Sequence, residues 1–274
     1  MNKTFYKTEN KGVTLVKSGL LEAEQSVRHC FTTRLGGVSS GYWASANLGF
    51  GRGEERDTVL RNFELVCEAA GLNFSRLTRS FQKHGITMTE VTEDNVGSGF
   101  FEPAFDATDA LITRLEDTPL VVHIADCTPV LLYDRSKRAC AAVHAGWRGM
   151  AAGVIEAAIN AMEDAYGTDP SDLVAAVGPC IGPCCFEVDE DVADVFRSDF
   201  GAGVLIPAKD GKKTRVDLPK CAVEALTGRG VPENNIDVSG ECTYCDEELF
   251  YSHRRMGENR GTQAAIIQIS TVRN

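Results

Sequence analysis

VVHIADCTPVLLYDRSKRACAAVHAGWRGM, residues 121–150, decides the fold. It reads as two buried strands joined by a polar turn. Residues 121–124 are apolar and rich in β-branched side chains. Residues 125–129 interrupt the run and residues 130–134 resume it. Residues 134–138 are charged and read as the turn. Residues 139–143 form a second apolar run that ends in His144-Ala145-Gly146-Trp147-Arg148-Gly149. Cys127 and His144 thus sit at or beside strand ends, and an antiparallel hairpin would bring those ends together.

Working outward, residues 57–70 spell an amphipathic helix with Asp57 as candidate N-cap and Gly71 as its stop. Residues 149–166 carry a second apolar stripe, read as one helix that Gly167 and Pro170 end. His144 and its Gly-Trp-Arg-Gly turn then lie just before a helix N-terminus, a place suited to an anion. Residues 27–34, 173–177, 236–238 and 262–269 read as strands. Residues 189–196 read as a short acidic helix, and residues 216–226 as strand or turn followed by helix. Residues 35–53 are rich in Gly, Ser and Asn and read as a long surface or functional loop from which Arg34, Ser45 and Asn47 could point into a site. Strands and helices are mixed throughout, without a simple βαβ repeat or a low-complexity linker. One mixed α/β domain over residues 1–274 is the expectation.

Composition narrows the function. The 274-residue chain carries a net charge of −11, which argues against a nucleic-acid surface. No stretch approaches the roughly 18 uninterrupted apolar residues of a membrane span, and the first residues lack the apolar run of a signal peptide. A cytoplasmic protein with reduced thiols is expected, so the ten cysteines are thiols, metal ligands or small buried side chains.

Three readings of the reactive residues stay open. His84, Cys127 and His144 each stand at a strand-end turn, and a Cys with two His is a ligand set for catalytic zinc that leaves a fourth position for water or substrate. The same Cys127 and His144 could instead act as nucleophile and base. Cys242 and Cys245 with Cys180, Cys184 and Cys185 could form a structural four-cysteine zinc site. Arg34, Arg148, Arg254 and Arg255 lie near Gly- or Ser-rich turns, where clustered arginines suit phosphate or carboxylate.

Seven stretches carry a resemblance: FTTRLGGVSSGYWASANLG, QKHG, DALIT, ADCTPVLLYD, VHAGWRG, GPCIGPCCFEV and FYSHRR, in this order over about residues 31–255. The chain resembles the bacterial YfiH/YlmD-like family, also called the polyphenol oxidase or laccase-domain family and, in some members, peptidoglycan editing factor. The resemblance implies a layered sandwich of mixed β-sheets flanked by helices. It implies a zinc ion on His84, Cys127 and His144. It also implies purine nucleoside phosphorylase activity on adenosine, inosine, guanosine and methylthioadenosine, and in some members adenosine deamination. Small-molecule nucleoside and phosphate are then the partners, with Arg34, Asn47, Arg148 and Arg254 as candidate substrate contacts. Asp126 or Asp109 is the candidate proton shuttle.

Two alternatives accompany this reading. One is an amide hydrolase with Cys127 as nucleophile, editing peptidoglycan precursors. The other is a copper-dependent polyphenol oxidase. A four-electron oxidase gathers several coppers on many histidines, whereas this chain has five, and His29, His123 and His253 form no His-x-His pair. Zinc is therefore expected over copper. Lys83, Met256 and Arg260-Gly261-Thr262 depart from the family pattern, and none of them removes a ligand.

Overall fold

The computed structural model describes residues 4–209 and 213–271. In chain order its strands and helices begin with β1 (Tyr6–Asn10), β2 (Val13–Lys17), α1 (Gly19–Glu22), β3 (Val27–Thr32), α2 (Arg56–Ala70), β4 (Thr78–Arg79), β5 (Met88–Glu90) and β6 (Ala110–Thr113). There follow β7 (Leu120–Ile124), β8 (Thr128–Asp134), β9 (Ala139–Ala145), α3 (Trp147–Ala151), α4 (Val154–Tyr166) and β10 (Leu173–Val177). The last are α5 (Glu190–Phe200), β11 (Leu205–Ile206), β12 (Arg215–Val216), α6 (Leu218–Gly228), β13 (Ile236–Val238), α7 (His253–Met256) and β14 (Gln263–Ile269).

Two six-stranded mixed sheets form the frame. Their orders are β1-β2-β3-β14-β7-β4 and β13-β10-β8-β9-β6-β5. The inner layer between them packs Phe31, Leu120, Val122 and Ala265 of the first sheet against Leu131, Tyr133, Ala142 and Val174 of the second. The outer face of the first sheet (Leu15, Cys30, Val121, Ile266) is covered by Val59, Phe63 and Val66 of α2. The outer face of the second (Val130, Leu132, Val143, Ala175) is covered by α4, α5 and α6 through Ile155, Phe196 and Leu226. Both sheets are thus sandwiched, which is why β8, β9, β10 and β14 are apolar on both faces instead of alternating. This is the mixed layered architecture the sequence led us to expect.

The deciding stretch is a hairpin with one correction. β8 and β9 pair antiparallel, Thr128 opposite Ala145 and Pro129 opposite His144. Residues 121–124 and 130–134, however, are not one interrupted strand. β7 belongs to the first sheet and β8 to the second, so the Ala125-Asp126-Cys127 break carries the chain from one layer to the other. The helix expected over residues 149–166 is also divided. Gly153, at φ 83°, separates α3 from α4. α2 starts at Arg56 after Glu55, and Asp57 lies in its first turn. Gly71 ends it in the left-handed conformation expected of a C-cap glycine. The N-terminal β1–β2 hairpin, turning at Lys11 (φ 51°) and Gly12 (φ 79°), was not anticipated. No helix among the described residues is long and apolar enough to cross a membrane.

Candidate functional site

The two chain segments that cross from the first sheet to the second bring the chemistry together. One, between β4 and β5, carries His84. The other, between β7 and β8, carries Cys127. His144 joins them from the end of β9. Cys127 Sγ lies 3.8 Å from His84 Nε2, and one ligating atom from each of the three residues falls within 4.8 Å of the others.

Local sequence explains how the His84 loop gets so close. Gln82 fastens it to β7: its Nε2 donates to the His123 carbonyl at 2.8 Å, and its Oε1 accepts the His123 N–H at 2.7 Å. His84 itself adopts φ 62°, which costs a non-glycine residue energy. Asp109 offsets that cost. Its carboxylate accepts the backbone N–H of His84 at 2.9 Å, of Gly85 at 2.8 Å and of Lys83 at 3.2 Å. Gly146 provides the space, since a Cβ there would lie 2.5 Å from the His84 ring.

Asp109 also reaches the third member. Its Oδ1 sits 2.9 Å from His144 Nδ1, with both residues buried. That bond holds a proton on Nδ1 and turns Nε2 toward the Cys127 sulfur. A carboxylate behind a histidine is a recurring support for a metal ligand, and equally for a catalytic base. The electrostatics agree. Burial opposes ionisation of Cys127, but the charge and hydrogen bond of His144, with His84 beside it, bring the thiol down to about 6. Burial likewise opposes charging of His144, yet Cys127 and Asp109 raise it to about 9.

A cavity of about 570 Å³ opens on this cluster. Its walls carry Arg52, Arg79 and Arg260, none of which sequence reasoning singled out as a substrate contact. Arg260 is 8% exposed. Its guanidinium donates to the Gly261 carbonyl and Thr262 hydroxyl, and burial first, then the neighbouring Arg52, pull its pKa down to about 10. A buried cation beside a second cation favours an incoming anion. Arg79 is likewise lowered, by burial and by Arg56. A smaller cavity of about 300 Å³ shares His84 and Cys127 and is lined by Trp147, Arg148, Phe186 and Arg254.

The expected substrate contacts divide between these surroundings and the loops. Arg148, stacked on Trp147 at 4.2 Å, and Arg254, over Phe186 at 5.4 Å, line the smaller cavity. Arg34 is turned to the Ala44 and Glu247 carbonyls and lies over Tyr251. Asn47 is fully buried and spends its amide on Gly49, Glu54 and the Thr262 N–H. These two organise a loop and line neither cavity. Asp126, at φ 87°, accepts from the hydroxyls of Thr243 (2.7 Å) and Ser252 (3.0 Å) and from the Arg254 N–H (2.7 Å). It pins residues 243–254 beside the cluster. Asp109 as an organiser could have been suspected from its place just before a strand, but its partners come from remote segments.

Comparison with known proteins fits this geometry. Residues 28–270 match the family model described as multi-copper polyphenol oxidoreductase laccase. The chain belongs to this family. The protein named purine nucleoside phosphorylase YlmD from Geobacillus stearothermophilus is 34% identical over 86% of this chain and 86% of its own length. That named purine nucleoside phosphorylase YfiH from Escherichia coli is 32% identical over 89% and 94%. The crystal structure of YfiH from Bacillus licheniformis superposes with a TM-score of 0.89 at 29% identity, covering 98% of this chain and 100% of that one.

Proposed function

We propose that this chain is a zinc-dependent purine nucleoside phosphorylase of the cytoplasm, taking adenosine, inosine, guanosine or methylthioadenosine with inorganic phosphate. One observation carries the reading: a single cavity combines the His84–Cys127–His144 donor set, oriented by Asp109, with the arginines Arg52, Arg79 and Arg260. The names of the relatives support the activity.

The donor set fits zinc in its chemistry: two imidazoles and one thiol of lowered pKa, with no fourth side chain in the group among the described residues. A zinc ion held by His84, Cys127 and His144 would supply Lewis-acid polarisation of an oxygen. The rest falls to the chain's own residues. Arg260 and Arg79 would bind the phosphate oxygens and orient one of them toward C1′ of the ribose. The C1′–O bond forms as the C1′–N9 bond breaks, and the base leaves with the electron pair. Phe81, exposed on the cavity wall, offers a ring face to the purine.

Adenosine deamination would need a carboxylate free to shuttle a proton beside the cluster. Asp109 and Asp126 are both engaged by several donors, so phosphorolysis is the better-supported reaction. Copper oxidase chemistry is less well supported. Of the histidines among the described residues, only His84 and His144 belong to a group able to hold a metal, and His123 is buried against the Leu48 carbonyl.

The second reading has its own observation. Cys127, His144 and Asp109 stand in the order nucleophile, base and orienting carboxylate, as an amide hydrolase would require. Chromatography of adenosine and inosine with and without phosphate, alongside metal analysis, separates the two. Phosphate-dependent release of adenine or hypoxanthine, lost in His84→Ala together with about one metal ion per chain, is the expected result. Equal metal content in His84→Ala and the parent chain, with Cys127 alkylated equally in both, would favour the hydrolase.

A further inference from the structure

Away from both cavities, Cys184, Cys185, Cys242 and Cys245 bring their sulfurs within 4.8 Å of one another. Cys245 Sγ lies 3.3 Å from Cys185 Sγ and 3.6 Å from Cys184 Sγ. Four thiolates around zinc, at a bond length of about 2.3 Å, form a tetrahedron with edges of about 3.8 Å. The cluster therefore has the size of such a site. Packing does not account for it, because Cys184 and Cys245 are exposed.

Two loops supply the donors, residues 180–185 after β10 and residues 242–245 after β13. They are already fastened to each other. The backbones at Cys180 and Cys242 pair as a short parallel β-bridge, and the Thr243 N–H donates to the Cys180 carbonyl at 3.0 Å. The Gly182 N–H donates to Cys242 Sγ at 3.2 Å, and the amides of Tyr244 and Cys245 point to the same sulfur. Amide donors of this kind stabilise a sulfur that carries negative charge. Gly182 eases the approach: a Cβ there would lie 3.2 Å from Cys242 Cβ and 3.3 Å from Cys184 Sγ.

We propose that Cys184, Cys185, Cys242 and Cys245 bind a structural zinc ion that staples these two loops together. Four thiolates close the coordination shell and leave no position for substrate. The staple acts on the smaller cavity from behind. Ile181 lies in the first loop, Phe186 directly follows it, Arg254 follows the second, and all three line that cavity. None of the four cysteines lines either cavity described above. The inference does not depend on the phosphorylase reading.

The test is metal content by mass spectrometry on the full chain, expressed with zinc and purified under reducing conditions. The double variant Cys184→Ser/Cys245→Ser should hold about one zinc per chain less than the parent. His84→Ala should retain the cysteine-bound ion. Loaded with cobalt instead, His84→Ala should show the intense thiolate-to-metal absorption of a tetrahedral four-thiolate centre. Zinc unchanged in the double serine variant overturns the proposal. Should that variant fail to fold, the cobalt spectrum decides, and absence of the four-thiolate absorption overturns it. So does a parent chain that lacks two hydrogens in its intact mass and yields a peptide cross-linked between two of these cysteines, which would make the cluster a disulfide pair.

Discussion

The His84–Cys127–His144 cluster and the four-cysteine cluster are built on opposite plans. The first stands where two segments cross between sheets, takes three donors from distant parts of the chain and opens on a cavity of about 570 Å³. The second is carried by two loops that hydrogen-bond each other, and its donors are all sulfur. Three mixed donors with room beside them suit chemistry, whereas four thiolates suit a fixed fastening. The contrast teaches that donor count and surroundings, more than the presence of cysteine, separate a reactive thiol from a structural one.

Removing a donor should affect the two clusters very differently. His144→Ala or Cys127→Ala should lower phosphate-dependent base release by more than about 100-fold, since changing even the outer partner of a metal ligand costs about 10–100-fold. Cys184→Ser should change the same rate by no more than a few-fold while lowering thermal stability. Steady-state kinetics and melting curves on the same preparations check both. Equal loss of turnover in the two variants would erase the distinction.

The next effect concerns the support behind the open cluster. Asp109→Asn keeps the size of the side chain but weakens its hold on His144 and on the Lys83, His84 and Gly85 amides. Metal affinity or turnover should fall by about 10–100-fold. Glutamate at 109 should not rescue it, because the longer carboxylate cannot serve His144 and the three amides at once. A variant with wild-type metal affinity and turnover would mean that the tight turn at His84 is held by Gln82 alone.

Smaller still is the effect of the arginines. Arg260→Gln should raise the KM for phosphate about tenfold, the cost of one charged hydrogen bond, and leave the KM for nucleoside near its parent value. A rise in nucleoside KM alone would move the anion away from Arg260, toward Arg148 and Arg254 in the smaller cavity.

Much of this contrast is legible in the sequence. The β8–β9 hairpin announced itself because both its faces are buried and its turn is charged. The donors His84, Cys127 and His144 were legible through their positions at strand ends and the family motifs around them. Other features resisted for physical reasons. Asp126 broke an apolar run, and a sequence cannot say whether such a break bends one strand or passes the chain to a second sheet. Arg52, Arg79 and Arg260 sit far apart in sequence and converge only through the packing of β4 and β14 around β7. Arg34 and Asn47 looked like substrate contacts because they lie in a glycine-rich loop, yet that loop needs its own polar groups to satisfy its backbone. The close approach of four cysteines follows from β10 and β13 lying side by side as parallel neighbours.

Acid provides the finest comparison, because protonation would strip zinc from both clusters. That shared loss must be separated from the protein's own acid sensitivity, which His29 sets in part. His29 is fully buried, and its Nε2 accepts the Ser18 N–H at 2.9 Å. Burial first, and Lys17 second, lower its pKa to about 3. Below about pH 6.5 the unfolded chain takes up a proton on this residue that the native chain refuses until about pH 3. The stabilisation is therefore complete above about pH 6.5 and is lost as the pH falls toward about 3, by up to about 1.4 kcal/mol per unit. In metal-free protein, His29→Gln should flatten the fall of the urea-unfolding free energy between pH 6 and pH 5 by about 1 kcal/mol, glutamine being able to accept the same Ser18 N–H. The flattening should persist in Cys184→Ser/Cys245→Ser, because His29 belongs to the sheet core and not to either cluster. An unchanged slope would show that His29 takes up its proton in the native state, and acid lability would then have to be assigned to His123, whose pKa burial also lowers to about 3.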